Sequence, residues 1–169
     1  MDTIWKTAIL RQFGAALDML GNALRDCPDE LWGESLWEDR SMPPGLSDFW
    51  YLAYHTLFWL DLYLSGQVEG FAPPAPFTLD ELEPAGVLPP TVYTRAELQS
   101  YLAHCRQKCQ ATIEALTDEE ARRLCRFGWG EVPFAELLLD NMRHVQEHCA
   151  QLNMFLGQRA GAGSRWVAR

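Results

Sequence analysis

Residues Ser47 to Ser65 restrict the fold more than any other stretch of the chain. They carry Phe49, Trp50, Tyr51, Tyr54, Phe58, Trp59 and Tyr63, and at helical spacing these rings leave the axis in every direction. A helix that is apolar all round has to be covered on more than one side. It either lies at the centre of a helical assembly or also faces a partner subunit. Seven aromatics within fifteen positions exceed what one inward face holds, and this predicts a homodimer contact on the helix. Ser47 reads as its N-cap, with Asp48 in the first turn where the helix dipole favours negative charge, and Gly66 as its C-terminal stop.

Three further helical patterns accompany it. The first spans about Asp2 to Arg25, with Ile4, Ala8, Phe13, Leu17, Leu20 and Leu24 at near-helical spacing and Cys27-Pro28 at its end. A polar, Trp-rich connection from Pro28 closes on Met42-Pro43-Pro44-Gly45. The third helix starts at Thr94, with Glu97 completing a capping box, and its apolar face is Leu98, Tyr101, Leu102, Cys105, Cys109, Ile113 and Leu116. Thr117 then caps a short helix to about Leu124, Phe127-Gly128-Trp129-Gly130 forms a turn, and Pro133 opens a fourth helix that runs to about Gly157. No run reads as a convincing strand, and there is no internal repeat. Residues 1–158 form one all-α domain of ordinary size, and residues 159–169 a frayed tail.

Gln67 to Tyr93 holds Pro73, Pro74, Pro76, Pro84, Pro89 and Pro90, which exclude a long helix. A loop of this length is uncommon in a compact domain and usually has a purpose. At about 3.3 Å per extended residue it is long enough to run the ~30 Å of a 20-residue helix. The second and third helices are therefore expected to run roughly parallel, joined by a long crossover.

Charge and cysteine usage exclude several function classes. A formal net charge of −9, from 14 basic and 23 acidic residues, argues against a nucleic-acid surface. Arg122, Arg123 and Arg126 are the only local basic group. Five cysteines, Cys27, Cys105, Cys109, Cys125 and Cys149, form an odd set without a CxxC, as in a reducing compartment. Cys105 and Cys109 share a helix face and form a conceivable thiolate pair, although small buried apolar residues are the better reading. The N-terminus, Met1 to Lys6, lacks a signal-peptide pattern. No segment reaches the ~18 uncharged apolar residues of a membrane span; Leu46 to Leu64 is interrupted by Asp48, His55 and Asp61. A cytoplasmic protein without membrane partners is expected.

Chemistry concentrates on the fourth helix. Leu138, Met142, Val145, Cys149, Leu152 and Leu156 form its core stripe, and Glu136, Asp140, Arg143 and Glu147 its solvent side. Asn141, His144, His148 and Gln151 run between them at steps of three and four, facing the bundle interior or its rim. Histidines four apart sit on one face and can converge on one metal ion. His55, amid the aromatics of the second helix, supplies a third imidazole. Three histidines from two helices with no fourth protein ligand describe an open metal site, of the kind found in catalytic rather than structural centres. The competing reading is a buried hydrogen-bond network. His104 reads as a surface residue. Glu147 and Asp61 are near in sequence, but their helical phases point away from the histidine line. Gln151 is the better partner for orienting His148. There is no G-x-S-x-G, no phosphate-binding glycine loop and no H-E-x-x-H.

The chain resembles the DinB-like (DinB/YfiT) superfamily of metalloenzymes over nearly its whole length. The resemblance rests on Ser47 followed eight residues later by His55, and on His144-x-x-x-His148-x-x-Gln151. Members commonly show H-x-x-x-H-R-G-Q; here Cys149 and Ala150 stand at the Arg and Gly positions. The resemblance implies a four-helix bundle with up-down-down-up topology, often dimeric, and a divalent metal, zinc or nickel, on His55, His144 and His148. It also implies a hydrolase, or a transferase or isomerase using a low-molecular-weight thiol, acting on a small-molecule substrate. The other function class is a non-catalytic bundle. There the histidines hold a structural ion or a hydrogen-bond network, and the aromatic helix serves a protein partner.

Overall fold

A computed structural model of the chain describes residues 3–38, 43–84, 86–161 and 163–169. Asp2, expected at the start of the first helix, and Met42 lie outside these residues. Five α-helices and one hairpin follow in the order α1 (Thr3–Asp26), α2 (Phe49–Ser65), α3 (Arg95–Ala115), α4 (Asp118–Arg122), β1 (Leu124–Phe127), β2 (Gly130–Pro133) and α5 (Phe134–Arg159). Single 3-10 turns occupy Asp29–Leu31 and Asp80–Leu82. α2 packs on α3 and α5, and α1 packs on the same two helices, so the four long helices enclose one core. No helix among the described residues is long and apolar enough to cross a membrane.

The all-round apolar character of α2 is met within the chain. Phe49, Trp50, Tyr51, Tyr54, Phe58 and Tyr63 are buried, and Trp59 is half-buried. Two helices cover part of the surface, and the long connections cover the rest. Phe71 packs edge-on against Phe58, Phe77 stacks on Tyr54 and Tyr101, and Tyr93 lies 4.8 Å from Tyr54 between ring centroids. Trp32, from the connection after α1, packs on Phe49 and donates to the Tyr93 carbonyl. The aromatic count that predicts a partner subunit on α2 is thus accounted for by the chain's own loops.

The helix ends follow local chemistry, with one correction. Thr94 and Glu97 form the expected capping box, and Thr117 caps α4 through the Glu120 amide. Gly66 ends α2 in the left-handed region at φ 71°, where a Cβ would also meet the Arg123 guanidinium. Ser47, however, is not the N-cap of α2. Asp48 takes that position without a side-chain cap, while Ser47 bonds to the Ser35 hydroxyl and the Trp37 carbonyl. The Ser35–Asp48 bridge between the two chain segments claims the serine instead.

The hairpin is a second departure from expectation. Leu124 pairs with Pro133, Cys125 with Val132, Arg126 with Glu131 and Phe127 with Gly130. The expected turn at Phe127 to Gly130 is its tip. Four-residue strands with a single buried residue, Cys125, carry too little alternation to read as strands. Packing completes the hairpin: Trp129 stacks on Phe127 and donates to the Tyr63 hydroxyl at the end of α2. The expected frayed tail also folds back. Ser164 bonds through its amide to Asn153 and through its hydroxyl to Asp26, and the Ala168 carbonyl accepts from Gln12.

Candidate metal centre

α2 and α5 cross so that His55 meets the histidine pair of α5. The α5 core stripe seats Leu138, Val145, Cys149, Leu152 and Leu156 in the interior, and this phase places Asn141, His144, His148 and Gln151 along the α2 side. Asn141 is fully buried and donates to the Leu60 carbonyl, which sets the helix register one turn from the histidines. Ring centroids are 5.3 Å apart for His55–His144, 5.0 Å for His55–His148 and 4.5 Å for His144–His148. One nitrogen from each ring lies within 4.8 Å of the other two. All three histidines singled out from sequence are brought together.

The donor atoms suit a divalent cation. Two nitrogens bound at ~2.0–2.1 Å to a tetrahedral ion stand about 3.4 Å apart, and Nε2 of His55 lies 3.4 Å from Nε2 of His144. His148 Nδ1 is 2.7 Å from Gln151 Oε1; an amide oxygen only accepts, so Nδ1 holds the proton and Nε2 is free to bind. Burial, with the neighbouring charges of His148 and His55, pushes His144 down to about 2. Burial likewise lowers His148, against the opposing hydrogen bond of Gln151. Both imidazoles are therefore neutral at ordinary pH, the form a metal requires. His144 Nδ1 is buried without a hydrogen-bond partner among the described residues, so protein hydrogen bonds alone do not satisfy the cluster.

A carboxylate that the sequence reading missed completes the surroundings. Glu81, from the 3-10 turn in the long loop, places Oε2 2.8 Å from His55 Nδ1 and accepts from Trp59 Nε1 at 2.8 Å. Its side chain is 4% exposed. Burial raises its pKa, but His55, Tyr51 and Trp59 together outweigh that and hold it below the ordinary carboxylate range. Its only signal in the sequence is an acidic pair, Asp80-Glu81, within a loop long enough to imply a purpose. A cavity of about 380 Å³ reaches this corner, bordered by His55, His148, Glu81, Gln151, Trp37 and Trp59 among others.

The remaining candidates lie elsewhere. Asp61 is fully buried and bonded to Tyr101 and Lys108, and Glu147 is exposed; neither joins the histidines, as their helical phases predict. His104 is 44% exposed, at 3.4 Å from Asp61. Cys105 and Cys109 are buried, free and raised in pKa by burial, Cys109 to about 12, which disfavours the thiolate a metal needs. Among the described residues the three histidines form the one cluster with metal-binding geometry.

Fold and site together define a helical protein with a three-histidine cluster, compatible with a metal ion, beside an open cavity. The chain belongs to the DinB superfamily, whose family model matches residues 12–152. No curated protein matches the chain. The departures from the family run are absorbed by packing: Cys149 lies in the core, Ala150 is exposed on the outer face, and Gln151 keeps its contact with His148.

Proposed function

We propose that this chain is a metal-dependent enzyme acting on a small molecule, with His55, His144 and His148 holding one divalent ion, zinc or nickel. The observation that carries this reading is the cavity bordered by His55 and His148. An ion held only for stability is enclosed by four protein ligands, whereas three histidines beside open space leave a position for a reactant. An ion bound there would supply Lewis acidity and lower the pKa of a water or thiol placed beside it. The chain's own residues divide the remaining work. Gln151 fixes the proton of His148 on Nδ1, Trp37 and Trp59 wall off the cavity, and Glu81 and Glu83 give it an acidic border. The described lining includes no Lys or Arg, which favours neutral or cationic ligands and hydrolysis over a cosubstrate thiol bearing carboxylates.

The reading includes one bundle domain over residues 1–158 with an up-down-down-up course. Arg95 at the start of α3 donates to the Leu24 and Cys27 carbonyls at the end of α1, and Lys6 of α1 donates to Glu114 near the end of α3. Tyr101 and Lys108 of α3 both reach Asp61 of α2, while Phe49 meets Phe155 and Leu60 meets Asn141 across α2 and α5. A reducing, cytoplasmic setting suits five free, buried cysteines. A homodimer through α2 has no separate support once the chain's own loops cover that helix.

Metal per chain, measured after loading with zinc and nickel separately, tests the proposal in His55→Ala, His144→Ala and His148→Ala. Each variant should lose metal while remaining helical. Unchanged metal content in all three would end it. Bound metal without hydrolysis or thiol transfer across a panel of neutral and cationic esters, amides and electrophiles would favour the structural-ion reading.

A further inference from the structure

The loop between α2 and α3 supplies one side chain to the histidine cluster, and its hydrogen bonding is specific. A carboxylate only accepts hydrogen bonds, so the 2.8 Å contact between Glu81 Oε2 and His55 Nδ1 requires the proton on Nδ1. The lone pair of His55 then sits on Nε2, the atom 3.4 Å from His144 Nε2. Trp59, one helical turn beyond His55, donates to the same Glu81 oxygen and fixes the carboxylate independently of the histidine. The acid is thus pinned by a second donor besides His55, an indole whose own ring packs against the His55 imidazole at 6.3 Å between centroids. The second oxygen, Oε1, is buried with no hydrogen-bond partner among the described residues. Tyr51 also favours the charged form, and a buried carboxylate with one oxygen left over remains costly in the interior unless positive charge lies close by. On the far side of His55 from Glu81 the three ring nitrogens converge, and a cation bound there would supply that charge through the imidazole.

We propose that Glu81 is the positioning residue of this centre: it fixes the tautomer and ring orientation of His55, offsets part of the ion's charge through the imidazole, and ties the loop to metal binding. The proposal rests on the three-histidine reading above. Carboxylate partners of metal-bound histidines typically change metal affinity by ~10–100-fold when removed. The matching partner of His148 is a neutral amide, Gln151, so Glu81 contributes the only full charge directly bonded to a histidine of the cluster among the described residues.

Zinc affinity, measured by competition with a chromophoric chelator, decides the matter in wild type, Glu81→Ala and Glu81→Gln, with His55→Ala and His148→Ala beside them. Glu81→Ala should bind zinc about 10–100-fold more weakly. Glu81→Gln retains an acceptor oxygen for His55 and Trp59 but no charge, and should fall between it and wild type. Both should shift the visible spectrum of the cobalt-loaded protein, a change that a purely loop-anchoring residue would not cause. Wild-type zinc affinity in either Glu81 variant overturns the proposal, and Glu81→Gln decides alone where the alanine variant does not fold. Loss of zinc in the histidine variants with none in the Glu81 variants defeats only the positioning role. Wild-type zinc binding in the histidine variants defeats the metal centre, and Glu81's role with it.

Discussion

Lys108→Met tests how the buried acid of α2 is held, and with it the contact between α2 and α3. The Asp61 side chain is 1% exposed, and Lys108 Nζ approaches its Oδ1 at 2.6 Å, its backbone carbonyl at 2.9 Å and the Ser65 hydroxyl at 2.7 Å. Breaking a buried pair by removing one partner costs ~3–5 kcal/mol, mostly because the remaining charge is stranded. Two features place this case near the lower bound. The Lys108 side chain is 28% exposed, so the pair is not fully desolvated, and Tyr101 still donates to Asp61 Oδ2. His104 Nε2, 3.4 Å from Asp61 Oδ1, remains a polar neighbour of the carboxylate. A loss of about 3 kcal/mol follows, equivalent to roughly 6–12 °C in Tm for a chain of this size. Asp61→Asn removes the charge that needs pairing and leaves Lys108 able to reach water, so it should cost about 1–2 kcal/mol. The double variant should be more stable than Lys108→Met alone, because no charge is then stranded. Urea unfolding followed by far-UV circular dichroism measures all four proteins. A Lys108→Met loss below about 1 kcal/mol, or strictly additive costs in the double variant, would refute the reasoning.

Two further outcomes check other parts of the structure. Thr94→Ala should cost about 1 kcal/mol by removing the cap of α3. The Glu97 carboxyl is held low by hydrogen bonds from the Thr94 backbone and side chain. Its contribution is therefore present above the unfolded carboxylate pKa and is lost as pH falls through the lower folded value. Unfolding free energies at neutral and acidic pH should show a smaller Thr94→Ala penalty in acid; an equal penalty would count against the charged part of the cap. The five cysteines are buried, and burial pushes Cys27, Cys109 and Cys149 up to about 12. Intact-mass analysis should show little alkylation by iodoacetamide in the native state at pH 8 and five adducts after denaturation. Rapid native labelling of Cys105 or Cys109 would mean that the interface between α3 and its neighbours opens.

Helical phase made most of the framework legible. Steps of three and four placed Leu138, Val145, Cys149 and Leu152 inside and Glu136, Arg143 and Glu147 outside, as the structure has them. The same phase assigned Asn141, His144, His148 and Gln151 to the boundary, where a polar residue needs a partner. Legibility failed where structure depends on contacts distant in sequence. The aromatic content of α2 was readable, but not that Phe71, Phe77 and Tyr93 would return over it, because an aperiodic loop gives no sign of which surface it covers. Ser47 has the composition of a cap, yet Ser35 reaches it from twelve residues away. The hairpin depends on Trp129 meeting Tyr63, a pairing across 66 positions.

The same distinction explains why the candidate centre was visible in part. His144 and His148 announce each other, because the helix that carries them fixes their separation. His55 joins them through the crossing of α2 and α5, and its isolation among aromatics marks it as a polar group in need of partners. Glu81 has neither advantage. It lies in a proline-rich loop, 26 positions from the histidine it contacts, and nothing local distinguishes it from Glu83 or Asp80. What singles it out is physical: its side chain is nearly fully buried, with one oxygen accepting from both an imidazole and an indole and the other without a hydrogen-bond partner among the described residues. A charge in that condition needs a compensating charge nearby, and the converging ring nitrogens mark where a divalent ion would provide it. Under the proposed role of Glu81, the long loop is more than a connection between α2 and α3, since its 3-10 turn carries the acid that contacts His55.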